Sequence, residues 1–239
     1  MRKKILFITG TRADYGKIKS LLNAVLIADF DLYLFVTGMH LEKKYGFTIN
    51  EIKKSNYPNI KTYENHTSGY DMEIKLSQTV EGISKYSKQI EPDLIIVHGD
   101  RLEALSGAIV GAFNNILVGH IEGGEVSGTI DELIRHSVTK LSHIHFTSNE
   151  EAKKRLIQMG ESARKIHVIG SPDIDIMFSD QLPDKNTALK YYGIPYDNYS
   201  ILMFHPVTTE LNNLKKHIST IVEVICNEAQ NFIVIYPNN

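Results

Sequence analysis

The 239-residue chain is expected to fold as an α/β protein on a doubly wound parallel sheet. Short, continuously apolar runs recur along it, and segments with helical apolar spacing lie between them. After a break rich in proline the same alternation restarts. Runs that do not alternate strictly suit strands buried on both faces of a parallel sheet. Strand–helix alternation supplies the crossovers that such a sheet requires.

The first run, KILFIT (4–9), follows basic residues, but it is short and leads directly into a turn, so it reads as a strand and not a signal peptide. A helix over Lys17–Ala28 carries Ile18, Leu21, Leu22 and Val25 on one side, and DLYLFV (31–36) forms the next strand. Met72–Ile90 sets Leu76, Val80 and Ile83 on one stripe. DLIIVH (93–98) is followed by Leu102–Phe113, whose alanines and glycines let a helix sit close against a sheet. ILVGHI (116–121), a helix opening within 129–136, and HIHFTS (143–148) continue the pattern. Asn149–Met159 opens after a capping-type Ser148 and stops at Gly160, before KIHVIG (165–170).

Residues 171–198 change character, with Pro172, Pro183, Asp184, Gly193 and Pro195, and read as an interdomain crossover with one short helix at Asn186–Tyr192. SILMFHPV (200–207), a helix over Asn212–Ala229 and NFIVIY (231–236) then make one βαβ unit. The expected organisation is a Rossmann-like domain over 1–170, the crossover, and over 199–239 the beginning of a second Rossmann-like, nucleotide-binding domain. One βαβ unit cannot bury both faces of its sheet. The second domain is therefore expected to be cut short, exposing Ile201, Met203, Ile221, Ile233 and Ile235.

Composition narrows the function. The 26 Lys and Arg balance 28 Asp and Glu, which argues against a nucleic-acid binder with a basic face. No segment is apolar for long enough to span a bilayer, so a cytoplasmic protein is expected. The single cysteine, Cys226, rules out an intramolecular disulfide and any cysteine-rich metal site, and reads as a buried small residue. No His-x-x-x-His or paired-cysteine spacing suggests a metal.

Chemistry is expected beyond the carboxyl ends of the strands, where helix N-termini and loops converge. The stretch 10–17, GTRADYGK, is neither a dinucleotide fingerprint nor a P-loop. It places Arg12 and Lys17 near a helix start, which suits a phosphate as well as it suits an ordinary turn with two solvated cations. Asp100 follows DLIIVH as either a helix cap or a functional acid. Glu122 ends an apolar strand, where an unpaired carboxylate is costly and a role gains ground, and Gly123 and Gly124 permit close backbone approach. Asp131 and Arg135, four apart, form either a helix-surface ion pair or part of the site, with Glu132 and His136 beside them. His205 ends the first strand of the second unit. His98 and His120, inside apolar strands, read as satisfied core histidines. Acids interacting in one cleft can have their proton affinities driven apart, which proton removal and return require.

In combination and order, the strings GTRADYGK, VTGMH, HGDRLEA, HIEGGE, DELIRHS, LSHIH, IGSPD and FHPVTTE resemble the hydrolysing UDP-N-acetylglucosamine 2-epimerases of bacterial sialic-acid and capsule biosynthesis. The resemblance spans residues 4–239. It implies a GT-B arrangement of two Rossmann-like domains around a nucleotide sugar, no cofactor, no metal and a homodimer. It also implies conversion of UDP-GlcNAc to UDP and N-acetylmannosamine through a 2-acetamidoglucal. Arg12 and Lys17 match the diphosphate loop, Asp100, Glu122 and Asp131 the essential acids, and His205 the second-domain histidine; Arg135 and Glu132 accompany them. Which acid removes the C2 proton stays open. Asp131 and the IEGGE sequence point to the hydrolysing branch. Members of the family are longer, so weak UDP binding and poor turnover are expected of this chain alone. Rival readings are the same chemistry on another UDP-sugar of a legionaminic-acid pathway, a non-hydrolysing epimerase, a binding fragment, and, last, a glycosyltransferase.

Overall fold

The computed structural model describes residues 2–65, 71–180, 182–205 and 211–235. Two compact units divide the chain, the first ending at Asp180 and the second starting at Gln181.

The first unit holds seven parallel strands: β1 (Lys4–Thr9), β2 (Asp31–Val36), β3 (Ile60–Thr62), β4 (Leu94–His98), β5 (Leu117–Ile121), β6 (Ile144–Thr147) and β7 (Ile166–Val168). Their order in the sheet is β3-β2-β1-β4-β5-β6-β7. The chain therefore winds outward from β1 to β3, then jumps back to β4 and winds the other way. This is the doubly wound topology, and its switch point lies between β1 and β4.

Helices α1 (Arg12–Ile27) and α2 (Ile49–Lys54) cover one face, where Tyr15, Ile18, Leu22, Ile49 and Ile52 pack on Ile5, Phe7, Leu34 and Ile96. Helices α3 (Met72–Ile90), α4 (Leu102–Phe113) and α5 (Ile130–Leu141) cover the other, setting Ile83, Ala104, Ala108 and Val138 against Leu6, Ile8, Ile95, Val97 and Val118. Gly107 and Gly111 let α4 approach closely: a methyl group there would stand 2.3 Å from Ile8 and 2.2 Å from Val118. Helix α6 (Glu150–Gln158) is capped by Asn149, whose side chain accepts from Ala152 N, rather than by Ser148.

Apolar spacing alone misplaced the start of the first helix. Helix α1 begins at Arg12, five residues before Lys17, because Thr11 and Asp14 form a capping box. Residues 171–180 belong to the first unit and include a short helix, α7 (Asp173–Met177), that packs against α1. Strand β3 and helix α2 were not anticipated.

The second unit holds α8 (Lys185–Tyr192), β8 (Ser200–Met203), α9 (Leu214–Asn227) and β9 (Phe232–Ile235). Strands β8 and β9 pair in parallel, as a βαβ unit must. Ile201, Met203 and Ile235 are exposed, whereas Ile221 and Ile233 are half-buried. Cys226 is exposed on α9, contrary to the buried position expected of it.

Candidate active site

The turn after β1 closes on a carboxylate of its own chain. Asp14 accepts from the backbone N–H groups of Gly10 and Thr11, each at 2.9 Å, and from Thr9 Oγ1 at 2.7 Å. Asp14 thus occupies the N–H groups of Gly10 and Thr11, and its own N–H donates to Thr11 Oγ1 at 3.2 Å. Arg12 is exposed at the first position of α1. Lys17, in the second turn, instead reaches across to Glu122.

Glu122 follows β5 directly and is the focus of the cluster. Its carboxylate accepts from Lys17 Nζ at 2.8 and 2.9 Å, from His98 Nε2 at 3.1 Å and from Ser171 Oγ at 2.6 Å. Burial alone would raise its pKa, but hydrogen bonds from His98, Lys17 and Ser171 and the charge nearby outweigh it and hold the group well below the usual carboxylate range. Its backbone is left-handed, with φ of +60°, which costs a non-glycine residue on the order of 1–3 kcal/mol. Strain of this kind at the end of a buried strand is what a functional position tolerates.

Asp100 lies one strand over, after β4, and pairs with the guanidinium of Arg135 from the second turn of α5. Here burial wins: it pushes the Asp100 pKa up against Arg135, and Asp131 pushes the same way. Asp131 is exposed in the first turn of α5, where Thr129 Oγ1 donates to it at 3.2 Å. Arg135 therefore bonds to Asp100, not to Asp131 four residues before it. Glu132 turns back to accept from the N–H groups of Ser127 and Gly128 at 2.9 and 2.8 Å, fixing the loop that leads into α5. His136 Nε2 lies 3.9 Å from Glu132.

The geometry thus brings Lys17, Asp100, Glu122, Asp131 and Arg135 to one edge of the sheet. His205 is exposed in the second unit. The residues 206–210 that follow it in FHPVTTE lie outside the described residues.

Two members of the cluster escaped the sequence reading. His98 looked like a core histidine, but its ring is a partner of Glu122; being the last residue of its strand was the available signal. Ser171 is 49 residues from Glu122 in sequence, and only the fold reveals the contact. His120 is the satisfied core histidine expected of it, with Nε2 donating to Gly99 O at 2.8 Å and Nδ1 accepting from Thr139 Oγ1 at 3.1 Å. Gly123 and Gly124 serve the protein's own packing: a methyl group would meet His120 Nδ1 at 2.8 Å or the Ala152 carbonyl oxygen at 2.6 Å. Among the described residues no three His, Cys, Asp or Glu side chains gather as a metal site would require, and no helix is long and apolar enough to cross a membrane.

Fold and site together define a Rossmann-like protein with paired acids and cations at the switch point of its sheet. The chain belongs to the UDP-N-acetylglucosamine 2-epimerase family, which it matches over residues 26–239. It is 51% identical over 238 residues to a UDP-N-acetylglucosamine 2-epimerase of Neisseria meningitidis serogroup B, covering 99% of this chain and 63% of the relative. It is 35% identical over 247 residues to the UDP-N,N'-diacetylbacillosamine 2-epimerase (hydrolyzing) of Legionella pneumophila, covering 100% of this chain and 65% of the relative. The chain thus spans less than two thirds of the length of either. Its fold matches a Neisseria meningitidis UDP-GlcNAc 2-epimerase solved with UDP-GlcNAc, at a TM-score of 0.81 and 19% identity, covering 97% of this chain and 65% of that one.

Proposed function

We propose that this chain is the nucleotide-sugar-handling part of a hydrolysing epimerase that converts UDP-GlcNAc and water to UDP and N-acetylmannosamine, for sialic-acid synthesis. The observation that carries the reading is the opposed tuning of two acids on adjacent strand ends: Glu122 is held anionic while Asp100 is biased towards its protonated form. Such a division leaves Asp100 able to take up and give back a proton at a sugar carbon, with Glu122 as a fixed anion.

The reaction runs in two stages. A carboxylate takes the proton from C2, the C2–H electron pair becomes the C1–C2 double bond, and the C1–O bond breaks to release UDP. Water oxygen then adds to C1, giving up one of its protons to a carboxylate, and C2 receives a proton from an acid on the opposite face, inverting that centre. Asp100, with Asp131 beside it, is the group suited to exchanging protons. Glu122 orients Lys17, and Arg12 and Lys17 receive the departing diphosphate. His205 assists that departure from the second unit, Arg135 steadies Asp100, and Glu132 steadies the loop before Asp131. The same reading carries a cytoplasmic homodimer needing neither metal nor cofactor.

Proton NMR of UDP-GlcNAc with this chain in D2O tests it. Free UDP with N-acetylmannosamine deuterated at C2 is the expected result. UDP-N-acetylmannosamine with the UDP still attached would instead establish the non-hydrolysing branch. The Legionella relative supports a second reading, the same chemistry on UDP-N,N'-diacetylbacillosamine, and turnover of that sugar in preference to UDP-GlcNAc would establish it.

A further inference from the structure

Glu103 is a buried acid to which the chemistry above gives no task. It stands in the first turn of α4 with 3% of its surface exposed, beneath the turns that follow β1 and β2. Both turns are glycine where they meet it. A methyl group on Gly10 would lie 2.4 Å from the Glu103 carboxyl carbon, and one on Gly38 would lie 2.5 Å from Oε1. Gly38 also has φ of +63°, so both space and backbone favour glycine there. Arg101 Nε donates to Glu103 Oε2 at 3.4 Å, and the Arg101 side chain remains 38% exposed. Arg101 is the N-cap residue of α4, at the carboxyl end of β4 and on the switch point, with no side-chain hydrogen bond capping that helix start.

Burial pushes the Glu103 pKa up against the charge of Arg101, so this acid is costly to hold as an anion, and a leucine or methionine would fill the space at lower cost. What the acid adds is direction. With Nε turned inward to Glu103, the forked Nη groups of Arg101 are left for an anion in the crevice, beside the turn that carries Arg12. We propose that Glu103 is a positioning residue: its carboxylate sets the direction of the Arg101 guanidinium and the closeness of the Gly10 and Gly38 turns, and so the hold on the diphosphate of a nucleotide sugar. The inference rests on the nucleotide-sugar reading for its ligand, but not for its geometry.

The test is NMR titration of the full chain with UDP and, separately, with inorganic pyrophosphate, alongside thermal melts. Glu103→Gln keeps the shape and removes the charge. It is expected to fold and to weaken both ligands roughly tenfold, as loss of a charge-assisted contact should. Arg101→Ala should weaken them by a similar factor, and the double variant should bind no more weakly than Arg101→Ala alone. Arg101→Lys, which keeps the charge without the fork, should not rescue binding, and it serves as the test if Glu103→Gln does not fold. Wild-type affinity in a folded Glu103→Gln, additive losses in the double variant, or rescue by lysine would each overturn the proposal. If the wild type holds pyrophosphate but not UDP, the nucleotide-sugar reading falls while the pyrophosphate series still decides the role of Glu103. If it holds neither, both fall.

Discussion

Glu122 and Asp100 leave neighbouring strands at the same edge of one sheet, and each faces a cation from a helix. Glu122 has three further-reaching donors converging on it, Lys17, His98 and Ser171, from α1, β4 and the segment after β7. Asp100 has Arg135, and shares its surroundings with a second carboxylate, Asp131. Partial burial is common to both, so the sign of the shift is decided by the neighbours. An acid in a crevice is tuned by how many donors reach it, more than by how deeply it sits.

The largest expected effect comes from removing either acid. Asp100→Asn should lower turnover by roughly 100- to 10,000-fold, the range associated with general acid–base groups, and Glu122→Gln should lower it by releasing Lys17. If either variant retained wild-type exchange of deuterium into C2 of the sugar, the contrast between the two acids would lose its catalytic meaning.

Stability should then separate them. Glu122→Gln leaves Lys17 and His98 without their anion and is expected to cost about 1–3 kcal/mol in urea unfolding. Asp100→Asn should cost less, since burial already disfavours that charge. The pH dependence has opposite signs. The depressed pKa of Glu122 means that its contribution is complete above the unfolded carboxylate range and fades as acid titrates it in the fold. The raised pKa of Asp100 favours the fold in acid, and that contribution is lost as pH rises through its folded value. Melts across the acid range, wild type against each variant, would break the comparison if both differences ran the same way.

Gly124→Ala sharpens it from the scaffold side. With φ of +85° and the Ala152 carbonyl in the way, the substitution should cost on the order of 1–3 kcal/mol and loosen the turn after Glu122 more than that after Asp100. His120 lies behind both acids, and burial pushes its pKa down to about 3. Its contribution is therefore present above its unfolded pKa and is lost as pH falls towards the folded value. His120→Gln should remove that part of the acid sensitivity, seen as a flatter stability profile below neutrality. The smallest effect is expected at exposed Cys226, where Cys226→Ser should shift stability by no more than about 0.5 kcal/mol.

The seven-strand sheet was legible wherever a strand was long enough to show a continuous apolar run, and helices α3 and α4 were legible to the residue. Strand β3 was not, because Ile60 is the one aliphatic residue among its three, whereas equally short β7 lies inside the apolar run KIHVIG. The start of α1 was lost by weighing apolar spacing above the Thr11–Asp14 cap, although that signal lies openly in the sequence. At the site, the acids could be found because they end strands, but their partners could not. The helical spacing of Asp131 and Arg135 suggested a pair on the wrong acid, since a long guanidinium can leave its own helix for an adjacent strand end. Ser171 lies in the IGSPD string, but nothing in that string shows that it reaches Glu122.

The left-handed backbone of Glu122 has a consequence for inheritance. Its conformation would suit glycine, and glutamate and glycine codons differ by a single transition. Relief of the left-handed strain would offset part of what losing the Lys17, His98 and Ser171 contacts costs, so glycine is the replacement expected to be tolerated best in a copy of the gene released from selection for the activity. Glutamate at this position then serves as a marker of continued use, which a survey of variants within one population could score without any assay.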